Sequence, residues 1–252
     1  MSTVVTASPV SARSAAAAGV RDRVFYCAMA VALLLTALAG FAPTYYLRFL
    51  DGGPRATLSG GPFTSLVHLH GALFTVWMLF FVVQTTLVAS RQIAVHRRLG
   101  AGGAVLAAAM IVVGASTAIA SARRGGGALG VDPLAFLAIP LCDLVLFATF
   151  IVSALRQRRN KEAHKRLMLL AYISLITAPI ARLPWVNVQG PLVFFGLSFL
   201  FVVAGVVYDL ATRRTIHRSY VWGGALILVF VPLRLAISGT SWWQAFAAFL
   251  TQ

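Results

Sequence analysis

Seven long apolar stretches limit the folds that are open to this chain. A helix needs about 20 mostly apolar residues to cross about 30 Å of hydrocarbon, because the bilayer has no water to bond to the backbone. The stretches of suitable length are residues 24–47, 65–90, 101–121, 133–155, 167–183, 191–210 and 220–237. We therefore predict an all-α fold, a polytopic membrane bundle of about seven transmembrane helices at residues 23–238.

The two ends of the chain differ from this bundle in composition. Residues 1–22 are rich in serine and alanine, which bury too little apolar surface to order a segment, so we predict a flexible cytoplasmic tail. Residues 239–252 contain Trp242, Trp243, Phe246 and Phe249. Aromatic side chains favour the boundary between lipid and water, so we predict a short interfacial segment there.

Basic residues are distributed unequally between the two sides of the predicted bundle. Lysine and arginine are concentrated in the cytoplasmic loops of membrane proteins. Fifteen of the 21 lie before the first stretch or in the second, fourth and sixth loops, which predicts a bacterial inner-membrane protein with its N-terminus inside and its C-terminus outside. The opposite side has Arg48, Arg55, Arg123, Arg124, Arg182 and Arg234. Because the charges follow the loops and form no exposed stripe, we exclude nucleic-acid binding.

A histidine followed by a basic residue occurs at three predicted cytoplasmic helix starts, as His96-Arg97, His164-Lys165 and His217-Arg218. The last two units also share a proline fifteen residues later and then an arginine, which predicts a helical-hairpin repeat. Neutral histidine is a common ligand of metals and haem iron, so the three imidazoles are candidate metal ligands. Alternatively, they are interfacial anchors that meet lipid head groups.

A second group of polar residues is predicted near the outer ends of the helices, beside Pro140, Pro179 and Pro232. Ionisable groups within a span are costly to bury and are therefore functional candidates. One hypothesis is an anion pocket that uses Arg182 and Arg234. Another is a haem site with His68 or His70 on the iron, and a third is a proton path that uses Asp143. Alternatively, Asp143 forms an ion pair with Arg182 or Arg234, and this pair holds two helices together. The group is His68, His70, Asp143, Arg182 and Arg234.

His68 and His70 cannot both face one site on a helix. Two residues of separation turn the helix by about 200°. His68 shares its face with small and hydroxyl side chains, and His70 shares its face with Trp77 and Gln84. The sequence alone leaves open which histidine faces the bundle.

The segment His68-x-His70 through Trp77, Gln84, Arg91 and His96-Arg97-Arg98-Leu99-Gly100, with His164-Lys165-Arg166-Leu167-Met168, resembles a family of uncharacterised bacterial multi-pass inner-membrane proteins. More distantly, it is similar to membrane proteins that assemble haem-copper oxidases and to cytochrome-b-like bundles. This resemblance implies membrane redox chemistry or cofactor assembly, with haem or a transition metal as the cofactor and a respiratory membrane complex as the partner. The chain departs from the cytochrome-b pattern because only one predicted span carries histidines within it.

Three functions follow from these features. The first is a haem- or metal-associated redox or respiratory-assembly protein. The second is a small-solute or proton-coupled transporter in which Asp143 is the coupling carboxylate. The third is a non-catalytic membrane subunit or scaffold, which agrees with the absence of nucleotide-binding, serine-hydrolase and zinc-protease motifs from the sequence.

Overall fold

Six helices of this protein are long and apolar enough to cross a membrane, within the part of the chain that the structure describes. The structure is a computed structural model that describes residues 9–48, 50, 62–127 and 131–252. The six membrane-compatible segments correspond to all the predicted spans except the fifth. They support an integral, multi-pass membrane protein with an all-α fold. They are Gly19–Tyr46, Ser65–Ala89, Ile93–Arg123, Pro133–Arg156, Pro191–Arg213 and Arg218–Ser238.

The first helix, α1, runs from Pro9 to Phe41 and continues into a π-helical turn, Ala42–Tyr46. Part of the predicted tail is therefore helical, since α1 begins well before residue 22. Residues 1–8 of that tail, and Arg55, lie outside the described residues. Gly40 lies near the end of α1, where its backbone packs directly against the backbone of Pro179.

The next three helices form an up-and-down arrangement, with α2 at Ser65–Ala89, α3 at Ile93–Arg123 and α4 at Pro133–Arg156. Two of them begin at a side-chain cap, which satisfies amide groups that have no partner within the helix. The Thr64 hydroxyl accepts from the Val67 amide at 3.4 Å, and the Asp132 carboxylate accepts from Leu134 and Ala135 at 3.0 Å each.

The fifth predicted span, residues 167–183, is not one continuous helix but is divided between α5 at Lys161–Ile173 and α6 at Thr177–Ile180, and a further short helix, α7, follows at Pro184–Asn187. We call Lys161–Asn187 the broken segment. Pro179 has no amide hydrogen, so it cannot make the helical bond to the carbonyl of Leu175. The apolar side chains of α5 are the most deeply enclosed of the bundle, because α1, α4, α8 and α9 pack against this helix.

The last three helices are α8 at Pro191–Arg213, α9 at Arg218–Ser238 and α10 at Ser241–Leu250. Helix α10 falls within the predicted interfacial segment and packs against α4, where Trp243 Nε1 donates to the carbonyl of Leu134 at 2.8 Å. Its other face exposes Trp242 and Phe249.

The helices alternate in direction, so the bundle has two distinct ends. At the first end lie Asp22 of α1, the starts of α5 and α9 and the end of α8, and ion pairs connect α1, α5 and α8 there. At the opposite end, residues from the end of α1, the start of α2, the start of α4 and α6 line one cavity. We call these the network end and the cavity end.

Candidate functional site

A cavity of about 340 Å³ lies at the cavity end of the bundle, between α1, α2, α3, α4 and the broken segment. We call it the main cavity. Most of its lining is apolar and includes several phenylalanine rings, while eleven polar or charged side chains contribute the smaller, polar part. This combination is typical of sites for small molecules, which need apolar contact and a few polar groups for orientation. The polar lining comprises Thr44, Tyr45, Tyr46, His70, Thr75, Thr117, Ser121, Arg124, Asp143, Thr177 and Arg182.

Arg182 is the cation that the broken segment contributes to this cavity. Its Nη1 donates to the carbonyl of Ala178 at 2.6 Å, and its guanidinium lies over the ring of Phe41 at 4.7 Å from the centroid. No carboxylate of the described residues lies within ion-pair distance of it. Arg182 is therefore a cation beside the cavity without a neutralising carboxylate among the described residues.

Asp143 and Arg234 form the ion pair that the sequence left open. Arg234 Nη1 donates to Asp143 Oδ1 at 2.5 Å, and Arg234 Nε donates to the carbonyl of Phe230 at 2.8 Å. The guanidinium also lies 4.8 Å from the ring centroid of Phe195. Only 2% of the Arg234 side chain is exposed, so a charge without its partner would be costly here. The pair joins α4 to α9, and Arg234 is not a free anion-binding group.

The two arginines therefore differ in role, although both follow a proline in the sequence. Arg182 lines the main cavity, whereas Arg234 lies beyond Asp143 and lines a second cavity. The anion pocket that uses both arginines stays a prediction; the cations that line the main cavity are Arg182 and the exposed Arg124.

His70 faces the main cavity, and His68 does not line it. The His70 ring stacks on Phe74 at 4.1 Å between centroids, and its Nδ1 is buried without a hydrogen-bond partner among the described residues. His68 is exposed, and its Nδ1 lies 3.2 Å from the Tyr45 hydroxyl. The opposite orientations follow from the helical turn between the two residues.

The three histidines of the repeated motif lie at the network end and serve different local roles. His164 Nδ1 lies 2.9 Å from the carbonyl of Ala154, and His217 Nδ1 accepts from the amide of Ser219 at 3.1 Å, which caps α9. His96 Nδ1 is buried without a hydrogen-bond partner in the described chain. Among those same residues, no three His, Cys, Asp or Glu side chains are grouped as a metal site requires. Metal binding by His96, His164 and His217 stays a prediction.

An ion-pair network connects α1, α5 and α8, and sequence reasoning missed it. Lys165 contacts Asp22 at 2.6 Å, and Arg213 contacts the same carboxylate at 2.7 Å. Arg166 pairs with Asp209, and neither side chain is exposed to solvent. The network consists of Asp22, Glu162, Lys165, Arg166, Asp209 and Arg213.

Glu162 completes this network at the start of α5. It accepts from Arg166 Nη1 at 2.9 Å and lies 2.7 Å from Lys165 Nζ. Partial burial alone would raise the pKa of Glu162, but hydrogen bonds from Lys165 and Arg166 outweigh burial and hold the pKa below its ordinary value. The carboxylate therefore stays ionised, and three negative charges balance three positive charges.

One signal in the sequence pointed to the network. Three of the six acidic residues, Asp22, Glu162 and Asp209, lie within four positions of a basic residue on the predicted cytoplasmic side. Membrane topology accounts for the basic residues by itself and does not predict that they pair with these carboxylates.

Comparisons of this chain with protein-family models, with curated proteins and with solved structures each found no match.

Proposed function

We propose that this protein is a membrane carrier that binds a small, anionic and partly apolar molecule in the main cavity. The observation that carries the proposal is the position of Arg182, a cation beside an apolar cavity with no carboxylate partner in the described chain. A charged group without a partner in a low-dielectric setting is costly, and such groups in membrane proteins commonly bind a ligand. A ligand carboxylate or sulfonate supplies the missing charge.

The apolar part of the ligand is inferred from the rest of the lining. Phe41, Phe74, Phe136 and Phe194 all border the main cavity. Aromatic side chains contact flat or aliphatic groups over a large area and leave the anion to Arg182. The buried Nδ1 of His70 offers one further polar contact for orientation. Asp143 does not repel such a ligand strongly, because Arg234 neutralises its charge.

We propose that the broken segment makes the seventh crossing of the membrane. Its start belongs to the ion-pair network, and Arg182 near its end lines the cavity at the opposite end. With seven crossings, the excess of basic residues favours an inner-membrane protein with its N-terminus and network end in the cytoplasm. The proposed hairpin repeat then relates Pro179 and Arg182 to Pro232 and Arg234.

Carriage across the membrane, rather than binding alone, is favoured by the contrast between the two ends. Ion pairs connect α1, α5 and α8 at the network end, whereas a cavity separates the helices at the cavity end. A carrier that exposes its site alternately to the two sides requires one end to be closed while the other holds the ligand. The proline interruption at Pro179 lies where the helix that carries Arg182 would bend.

Binding can be tested with naphthalenesulfonate, a permanently charged anion with a flat apolar body. Wild-type protein in phospholipid nanodiscs is expected to bind it more tightly than naphthylmethylammonium or naphthalenemethanol. Arg182→Gln should weaken binding about 10- to 100-fold, because a hydrogen bond to a charged group is worth about 1.5–3 kcal/mol. Arg123→Gln is the matched control, since Arg123 is exposed at the end of α3 and does not line the cavity.

Equal binding of the anion, the cation and the neutral compound would contradict the proposal, as would unchanged affinity in Arg182→Gln. Carriage is tested separately by uptake of the same anion into proteoliposomes. Uptake by wild-type protein that is lost in Arg182→Gln and retained in Arg123→Gln supports a carrier. Binding without uptake would reduce the function to that of a membrane-embedded binding protein.

A haem-associated redox role is the second candidate, and it is favoured by the buried Nδ1 of His70, which has no hydrogen-bond partner within the described part of the chain. In this alternative, His70 ligates the iron and Arg182 pairs with a propionate. The absorption spectrum of protein purified from haem-replete cells distinguishes the two functions. A Soret band that His70→Ala removes, and His68→Ala keeps, would favour haem; a spectrum without that band, together with no stoichiometric metal, would exclude this role.

A further inference from the structure

A second cavity of about 270 Å³ lies between α8 and α9 and shares Asp143 and Thr177 with the lining of the main cavity, but not Arg182. We call it the α8–α9 crevice. It extends inward from the surface of the bundle to Asp143 and Arg234. Its lining also includes Leu146, Ile173, Ser174, Thr177, Leu192, Phe195, Gly196, Ser198, Phe199, Ile227, Leu228, Val231 and Pro232.

The mouth of this crevice lies on the membrane-facing surface. Leu192 on α8 is 79% exposed and Leu228 on α9 is 50% exposed, and both helices are long and apolar enough to span a bilayer. Exposed leucines on two neighbouring membrane helices face hydrocarbon when the protein is in its bilayer. The space that lies next to the mouth is therefore filled by lipid chains.

The two serines and the two charged side chains inside the crevice already have partners on the protein. The Ser174 hydroxyl donates to the carbonyl of Ala171 at 2.8 Å, and the Ser198 hydroxyl donates to that of Phe194 at 2.6 Å. Arg234 is bonded to Asp143. These groups therefore create little demand for water or for a polar ligand, and the rest of the lining is largely apolar.

We propose that the α8–α9 crevice binds one acyl chain of a membrane lipid, with the chain end directed towards the Asp143–Arg234 pair. Atoms that line an unfilled space lose dispersion contacts, and in a bilayer this packing, rather than the hydrophobic effect, drives apolar association. A single flexible chain matches a narrow opening between two helices. The proposal goes beyond the anion carrier and does not depend on what occupies the main cavity.

Chain binding has a consequence for the ion pair at the inner end. Asp143 lines both cavities, so the crevice is a route by which lipid or water approaches the carboxylate. A bound acyl chain excludes water from this side. The attraction between Asp143 and Arg234 is then stronger, because the local dielectric constant is low.

The test uses phosphatidylcholine nanodiscs in which one acyl chain carries a terminal photoreactive diazirine. After irradiation, mass spectrometry locates the labelled residues. Labels on α8 residues 192–199 and α9 residues 227–231 are expected to exceed those on Val105 and Val112. These two valines, 71% and 66% exposed on α3, measure ordinary contact with lipid.

Gly196 provides a variant that fills the crevice without crowding the backbone. No heavy atom lies within 4 Å of the position that its Cβ would take, so a leucine side chain has room to enter the space. Gly196→Leu should lower crevice labelling about tenfold, the change that corresponds to ~1.4 kcal/mol of binding free energy. Gly102→Leu is the control, because Gly102 on α3 is equally uncrowded and does not line the crevice.

Two results would overturn the proposal, namely crevice labelling no greater than that of Val105 and Val112, or labelling unchanged in Gly196→Leu. Arg182→Gln separates this site from the anion site. That variant should retain full crevice labelling, while its binding of naphthalenesulfonate should be weakened. Failure of one proposal therefore leaves the other proposal testable.

Discussion

Arg166 on α5 and Asp209 on α8 form a two-pronged ion pair from which solvent is wholly excluded. Asp209 also accepts from the amide of His217 at 3.1 Å, at the point where the chain enters α9. One carboxylate therefore holds three segments of the chain together. Bidentate arginine–carboxylate pairs have a defined geometry, so this contact sets the relative position of α5 and α8.

Asp209→Asn should destabilise the protein strongly, because it leaves the buried guanidinium of Arg166 without its main counter-charge. Breaking a buried ion pair by removing one partner typically costs ~3–5 kcal/mol. The measurement is the unfolding midpoint of purified protein in detergent. Glu162→Gln should have a smaller effect, because Glu162 is 35% exposed. An equal loss of stability in the two variants would show that burial of the Arg166–Asp209 pair adds nothing to the stability of the fold.

The two cavity-end arginines should respond in opposite ways to substitution. Arg234→Met leaves Asp143 buried without its partner and is expected to destabilise the fold by ~3–5 kcal/mol. Arg182→Met removes a cation that has no carboxylate partner in the described chain, so the fold should keep or gain stability. Unfolding midpoints and naphthalenesulfonate binding are measured together. A large loss of stability in Arg182→Met would mean that Arg182 is a structural residue.

Acid should weaken the start of α9 through His217. Burial, with Arg166 nearby, lowers the pKa of His217 below its ordinary value of 6.5. The unfolded chain then binds the proton more readily than the folded chain, so stability rises with pH. This contribution is complete above pH 6.5 and is lost as the pH falls through the lowered pKa of the folded state. Protonation also removes the lone pair with which Nδ1 accepts from Ser219.

Unfolding midpoints measured between about pH 8 and about pH 5 test this prediction, because histidine titrates in that range. His217→Asn keeps a capping side chain that does not titrate, and it should flatten the dependence. An unchanged profile in His217→Asn would assign the acid sensitivity to another group.

Gly40→Ala should disrupt the contact between α1 and the broken segment. A Cβ at this position would overlap the carbonyl oxygen of Pro179, which is backbone and cannot rotate away. The displacement would move α6, and with it Arg182, so both stability and anion binding are expected to fall. Gly102→Ala adds the same atom in open space and should change neither. Normal anion binding in a stably folded Gly40→Ala protein would contradict this prediction.

The membrane helices were predictable because their signal is local. About 20 apolar residues in sequence are sufficient to identify a span, and six of the seven predicted stretches are helices of that kind. The fifth stretch is also apolar, but Pro179 lacks the amide hydrogen of a regular helix, and the stretch is divided between two shorter helices. Composition averages over a segment and does not report these breaks.

The site was predictable only in part because it depends on which helices become neighbours. The cost of burying charge identified Asp143, Arg182 and Arg234 as important residues. Whether Asp143 pairs with Arg182 or with Arg234 depends on helix packing. The sequence separations between Asp143 and the two arginines do not distinguish these two pairs. The rotation of α2 was equally undetermined, so the choice of His70 over His68 required the structure.

The Asp22 contacts have a consequence for how the chain is made. Asp22 belongs to the first helix, whereas its partners Lys165 and Arg213 follow 143 and 191 residues later. Membrane proteins are synthesised from the N-terminus, so α1 enters the bilayer long before either partner exists. During that interval its carboxylate must remain in the aqueous head-group layer. The final position of α1 is therefore reached late in biogenesis, when the arrival of α8 completes the ion pairs that hold it.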